Sequence, residues 1–192
     1  MAENNPNVGT IDIPPTMEVQ DGEYRDYEDD ASKELNIDGS GLLVTIQQKG
    51  LNEFNANGTY ARILVSAHVG NPGDYDSLTF DLDDYSQADI DELDAYFHSI
   101  ADADVDTMAD GPASIHIEDW YPFKLETVNG MSCFHLSYTR TVNGDEKPAL
   151  VNSYIFQDDY RMITVTISYR IEDGQLWKTD LDYSLSTFRI SG

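Results

Sequence analysis

The sequence predicts an α+β fold in which an antiparallel sheet is flanked by helices. Three observations point there. Residues 121–171 hold strands of alternating polarity separated by short turn signals, with no room for the crossovers that parallel pairing needs. Asn129-Gly130 sits between two alternating runs, the strongest local hairpin signal. Two apolar stripes at helical spacing, one before and one after this meander, supply the layers that pack on it.

Taken in order, residues 1–9 read as a flexible tail and 10–192 as one domain, a length that a single core can fill. Thr10 to Ile13 is β-prone and stops at Pro14-Pro15. Residues 21–41 are polar and acidic, with at most a short helix around Ala31 to Leu35. Leu42, Val44 and Ile46 share one strand face, as do Ala61, Ile63, Val65, Ala67 and Val69 of the next strand. Ser86, followed three residues later by Asp89, reads as an N-cap with an acidic first turn. Ile90, Leu93, Phe97 and Ile100 then form a helical stripe, and Asp102 to Gly111 is expected to be an acidic loop.

A strand is expected to open at Tyr121-Pro122. With a two-residue turn at Asn129-Gly130, Leu125 faces Phe134, Phe123 faces Leu136 and Tyr121 faces Tyr138; on the other face Glu126 meets Cys133 and Lys124 meets His135. A third strand runs from about Leu150 to Gln157. The fourth places Ile163, Val165, Ile167, Tyr169 and Ile171 on one face. A last helix carries Trp177, Leu181, Ser184, Leu185 and Phe188 along one side.

Composition narrows the function. Eleven basic and 36 acidic residues give a net charge of 11 − 36 = −25. Such a chain repels phosphate backbones and anionic lipid, which excludes nucleic acid as a partner and favours a protein with a basic surface. No stretch reaches the roughly 18 apolar residues of a membrane span, and no leader precedes the chain as written, so it is expected in the cytoplasm, with export behind a removed leader as the alternative. One cysteine, Cys133, excludes an internal disulfide and a cysteine-rich zinc site.

No nucleophile elbow, P-loop or dinucleotide fingerprint is present, so no cofactor is expected. Cys133 and His135 share a strand face roughly 7 Å apart, too far for a thiol and its base. The plain reading makes Cys133 a buried apolar group; a small cysteine-dependent hydrolase is the alternative. Two acidic runs, from Asp81 and from Asp102, resemble calcium loops but lack the glycine at the sixth position, leaving divalent-ion binding as a further alternative. The favoured expectation is a non-enzymatic binding or accessory protein with an acidic recognition surface. Its candidate residues are Trp120, Tyr121 and Tyr85 as aromatic anchors and Asp102, Asp104 and Asp106 as charges.

Tyr154-Ile155-Phe156-Gln157-Asp158-Asp159-Tyr160-Arg161-Met162-Ile163-Thr164-Val165-Thr166, then Trp177, Leu181 and Ser186-Thr187-Phe188, resembles the C-terminal half of the PsbP-like superfamily. The opening Ile11-Asp12-Ile13-Pro14 is similar to the way such domains begin. The resemblance implies an α/β/α sandwich and a family of binding and accessory proteins with no shared catalytic site. It carries no functional residue across.

Overall fold

The computed structural model describes residues 2–5, 9–20, 41–51, 58–75, 80–109, 115–142 and 147–191; the side chains of 2–5, 82 and 102–109 lie outside this description. The helix expected around Ala31 to Leu35 falls outside it too.

Where a tail was expected, β1 (Ala2–Asn5) pairs antiparallel with β2 (Gly9–Asp12). The chain continues through β3 (Met17–Val19), β4 (Leu42–Gln48) and β5 (Ala61–Val69) to α1 (Gln87–Ala109). Then come β6 (Ile115–Trp120), β7 (Lys124–Val128), β8 (Met131–Val142), β9 (Ala149–Gln157) and β10 (Arg161–Arg170). Helix α2 (Gly174–Thr187) and the short β11 (Arg189–Ile190), which pairs with β2, close the chain. Among the described residues the main sheet has eight strands, ordered β3-β4-β5-β10-β9-β8-β6, with β7 also pairing β8. Every pair is antiparallel. The fold is an α+β sandwich, with α1 on one face of the sheet and α2 on the other.

The hairpin forms in the expected register, with Val128 facing Met131, Leu125 facing Phe134, Glu126 facing Cys133 and Lys124 facing His135. Asn129 and Gly130 both take positive φ, 55° and 79°, as the tightest hairpin turn demands. The Asn129 side chain also donates to the carbonyls of Leu185 and Phe188, so the hairpin tip caps the end of α2.

Four further expectations are corrected. A bulge between Leu42 and Val44 sets Leu42 opposite Ser66 while Val44 faces Val65, so Leu42 leaves the face of Val44 and Ile46 and is exposed. The strand does not open at Tyr121: the edge breaks at Tyr121-Pro122-Phe123, and Trp120, rather than Tyr121, faces Tyr138. Proline has no N–H for the ladder, so β6 and β7 line the same edge of β8 as two pieces. Asp102 to Ala109 is helix rather than loop. No glycine or proline interrupts the chain before Gly111, and alanines at 101 and 103 favour continuation. Ile171 leaves the strand for a short 3-10 turn and is exposed rather than aligned with Tyr169.

Pleating divides the buried residues between the two faces. On the α2 face Ile46, Ile63, Val65, Cys133, Phe156, Ile163, Val165 and Ile167 pack under Trp177, Leu181 and Phe188. On the α1 face Phe123, Phe134, Leu136 and Ile155 pack under Phe97, flanked by Phe80, Tyr85, Leu93 and Trp120. One side is largely aliphatic and β-branched, the other largely aromatic.

Candidate functional site

Among the described residues, the aromatic face carries a cleft. Helix α1 presents Ile90, Leu93 and Phe97 to the sheet, and its flank bearing Asp89, Glu92 and Tyr96 overhangs a cleft of about 870 Å³. Phe80, Phe97 and Phe134 form the aromatic lining, and Tyr75, Tyr85, Asp74, Asp84 and Gln157 complete the walls. Phe80 stacks on Phe134 at 5.1 Å, and Tyr85 meets both rings edge-on at 5.4 and 6.3 Å. Phe97 and Phe134 are buried beneath this cluster, and Tyr96 is exposed at its edge. No lysine or arginine is among these lining residues.

Local sequence holds each wall in place. Ser86 and Asp89 make the expected reciprocal cap: Asp89 accepts from the Ser86 N–H and hydroxyl at 2.8 and 2.7 Å. These bonds hold the Asp89 carboxyl below its ordinary value. The opposite wall is a tight loop in which Asp74 accepts from the Asn71 N–H and side-chain amide. Its Gly70 and Gly73 N–H groups donate to Tyr160 and Asp159 carbonyls at the β9–β10 turn. Gly73 has φ of 90°, and a Cβ on Gly70 would stand 2.6 Å from the Asp74 carboxylate. Phe80 is tethered through its carbonyl to the Ser132 hydroxyl of β8 at 2.8 Å. Asp74 and Asp89 therefore brace the walls, while Asp84 and Glu92 stand at the rim with no ion pair to another described residue.

Of the expected anchors, only Tyr85 lies here. Trp120 sits on the opposite flank of α1, stacked on His98 at 4.0 Å and near Tyr138 at 4.9 Å; that packing makes it a half-buried strut. Tyr121 is exposed (42%) at the break beside it. Asp102, Asp104 and Asp106 lie on the C-terminal half of α1, and their side chains are outside the description. Sequence reading missed Asp74, Phe80, Tyr96 and Gln157, and met Asp84 and Glu92 only as part of the acidic run from Asp81 that resembles a calcium loop. The available signal was the i, i+4 pair Glu92 and Tyr96, off the apolar stripe of α1 and on the flank where Asp89 also lies.

A second polar group lies across the sheet. His135 is buried, with Nδ1 3.2 Å from the Glu126 carboxylate and Nε2 3.1 Å from Asn152 Oδ1, and its ring stacks on Tyr154 at 4.4 Å. Cys133 is fully buried, and burial together with the Glu126 charge pushes its thiol up to about 12. A thiol so placed is neither ionised nor reachable, the opposite of an activated nucleophile. Burial, followed by the Glu126 charge, also raises the Tyr154 phenol well above its ordinary value. Among the described residues no three His, Cys, Asp or Glu side chains gather to hold a metal ion. Among them too, no helix is long and apolar enough to cross a membrane.

No protein-family model matches this chain. No curated protein matches it either. Solved structures do. The solution structure of a cyanobacterial PsbP (CyanoP) from Synechocystis sp. PCC 6803 aligns over 100% of this chain and 92% of its own, with a TM-score of 0.52 at 14% identity. The crystal structure of LpqN, involved in cell envelope biogenesis of Mycobacterium tuberculosis, aligns over 100% and 90% with a TM-score of 0.49 at 12% identity. At such identity the likeness is one of fold, and the fold is PsbP-like.

Proposed function

We propose that this PsbP-like domain is a non-enzymatic binding or accessory protein that recognises a basic protein partner through the acidic cleft beside α1. The observation that carries this reading is the pairing of rim carboxylates Asp84 and Glu92 with an aromatic lining, with no cation among the lining residues. Clefts walled by one sign of charge and low-dielectric groups concentrate field lines and draw in the opposite charge. A net charge of −25 adds long-range attraction for the same partner. Aromatic rings supply the desolvated contact area that turns encounter into residence. The buried, raised Cys133 thiol speaks against the hydrolase alternative.

The test is binding of a fluorescent basic peptide, hexa-lysine, by anisotropy at about 0.1 M and about 0.5 M salt, where screening of exposed charges differs strongly. The wild-type protein is expected to bind, with affinity lost at high salt. The Asp84→Asn, Glu92→Gln double variant is expected to bind about tenfold more weakly at low salt while melting at the same temperature, as two rim charges each worth up to about 1 kcal/mol would require. Equal binding by both proteins would move recognition away from the cleft.

A further inference from the structure

We infer that the cleft is built for an arginine side chain presented by the partner, in preference to lysine or a free cation. The inference rests on the cleft reading above and specifies what enters it. The lining sets carboxylates and aromatic rings side by side: Asp84 and Glu92 beside Tyr75, Tyr85 and the exposed Tyr96, above Phe80 and the buried Phe97 and Phe134. A guanidinium uses both at once. It is planar and weakly hydrated, stacks on rings, and offers a carboxylate a fork of two N–H donors. An ammonium is a compact, strongly hydrated point charge and gains less from rings.

A hard divalent ion fits poorly. It wants six or more oxygen ligands, yet Asp74 is engaged by the Asn71 amides and Asp89 by Ser86. Asp84 and Glu92 do not gather with a third ligand among the described residues.

Size points the same way. At about 870 Å³ the cleft lies in the ~300–1,000 Å³ range of sites that enclose groups larger than one side chain, so flanking residues of the partner enter with the arginine. Tyr96 and, one turn on, Ile100 are exposed on the same flank of α1 and extend the apolar contact from the opening. The partner is thus an arginine-bearing segment with an apolar neighbour.

The experiment compares labelled hexa-arginine and hexa-lysine peptides on the full chain at about 0.1 M salt. Hexa-arginine is expected to bind about tenfold more tightly. Tyr96→Ala, at an exposed position, is expected to weaken hexa-arginine about fivefold and hexa-lysine by less than half that factor, with the melting temperature compared with wild type to separate binding from its edge contact with Phe97. Glu92→Gln is expected to weaken both. Equal affinities with no effect of Tyr96→Ala overturn the arginine assignment while leaving the acidic-cleft reading intact. Failure of both peptides to bind removes that reading and this one together. Displacement of hexa-arginine by calcium at about 1 mM, reversed by a chelator, assigns the cleft to a metal ion and overturns the inference. Self-association abolished by Glu92→Gln assigns it instead to a second copy of the chain, and likewise overturns it.

Discussion

The two faces of the sheet solve the same packing problem with different residues, and among the described residues the α1 face carries a large cleft. Under α2, β-branched and aliphatic side chains from β4, β5, β9 and β10 interdigitate with Trp177, Leu181 and Phe188, and most of them are wholly buried. Val and Ile fit a pleated surface closely, so one short helix closes that layer. Under α1 the contacts are rings: Phe97 stacks on Phe123 at 5.6 Å, Phe123 on Phe134 at 5.9 Å and Phe134 on Phe80 at 5.1 Å. Large flat groups meet at fixed geometries and do not fill irregular space as branched aliphatics do. The helix that covers them is held at one edge by Asp94, which accepts from the Phe123 N–H at 3.3 Å, and by His98 on Trp120. The other edge, with Asp89, Glu92 and Tyr96, stays lifted from the sheet. An aliphatic face is suited to stability and an aromatic one to a cleft.

That contrast can be broken most sharply by the same substitution on each face. Phe156→Ala, at a fully buried site on the α2 face, is expected to cost about 4 kcal/mol, because its close-packed neighbours leave a cavity. Phe97→Ala, at the cleft, is expected to cost about 3 kcal/mol, since the space opened joins a site that solvent already reaches. Chemical denaturation measures both. A cost at Phe97 exceeding that at Phe156 would mean the α1 face is the tighter one.

The β9–β10 turn, which carries the loop wall of the cleft, gives the next largest effect. Arg161 is buried and its Nε donates to Asp158 at 2.7 Å. Burial by itself raises the Asp158 carboxyl. The Arg161 guanidinium and the N–H groups of Tyr160 and Arg161 outweigh it and hold the carboxyl below its ordinary value. Because the folded value is depressed, the stabilisation is present above the unfolded value of ~3.9 and is lost as pH falls through the folded one. Asp158→Asn is expected to cost about 2 kcal/mol near neutral pH and to flatten the stability profile below pH ~4. An unchanged acid limb in melting experiments would contradict this role.

The smallest effect concerns the α2 face. Asn129→Gly preserves the positive φ of the turn and removes only the two hydrogen bonds that cap α2. A loss of about 1 kcal/mol is expected, with hydrogen exchange quickened in the last turn of α2. Protection of α1 is expected not to change.

Most of the sheet was legible in the sequence because the signals were local. Asn129-Gly130 dictates a turn, the flanking alternation dictates the register, and both agree with the pairing of Leu125 with Phe134. The cap at Ser86 and Asp89 was legible for the same reason. The break at Pro122 was misread because Phe123 is buried, as a strand residue would be, although it reaches the core from outside the ladder. Strand β6 was not legible because its alternation is short: Ile115 and Ile117 alternate with His116 and Glu118, and Glu118-Asp119 then shifts the register. The cleft was hardly legible at all. Its lining comes from separate segments around residues 74, 80, 85, 92, 134 and 157, and no periodicity connects them. Trp120 is an aromatic beside a turn, and in the fold its ring stacks on His98 outside the cleft.

Amide chemical shifts followed by NMR during titration with hexa-arginine would map recognition most directly. Changes are expected to cluster at Gly73 to Tyr75, Asp84 to Tyr96 and Gln157. Perturbations centred instead on α2, or on Tyr121 across the helix, would contradict the assignment of the aromatic face as the one that meets a partner.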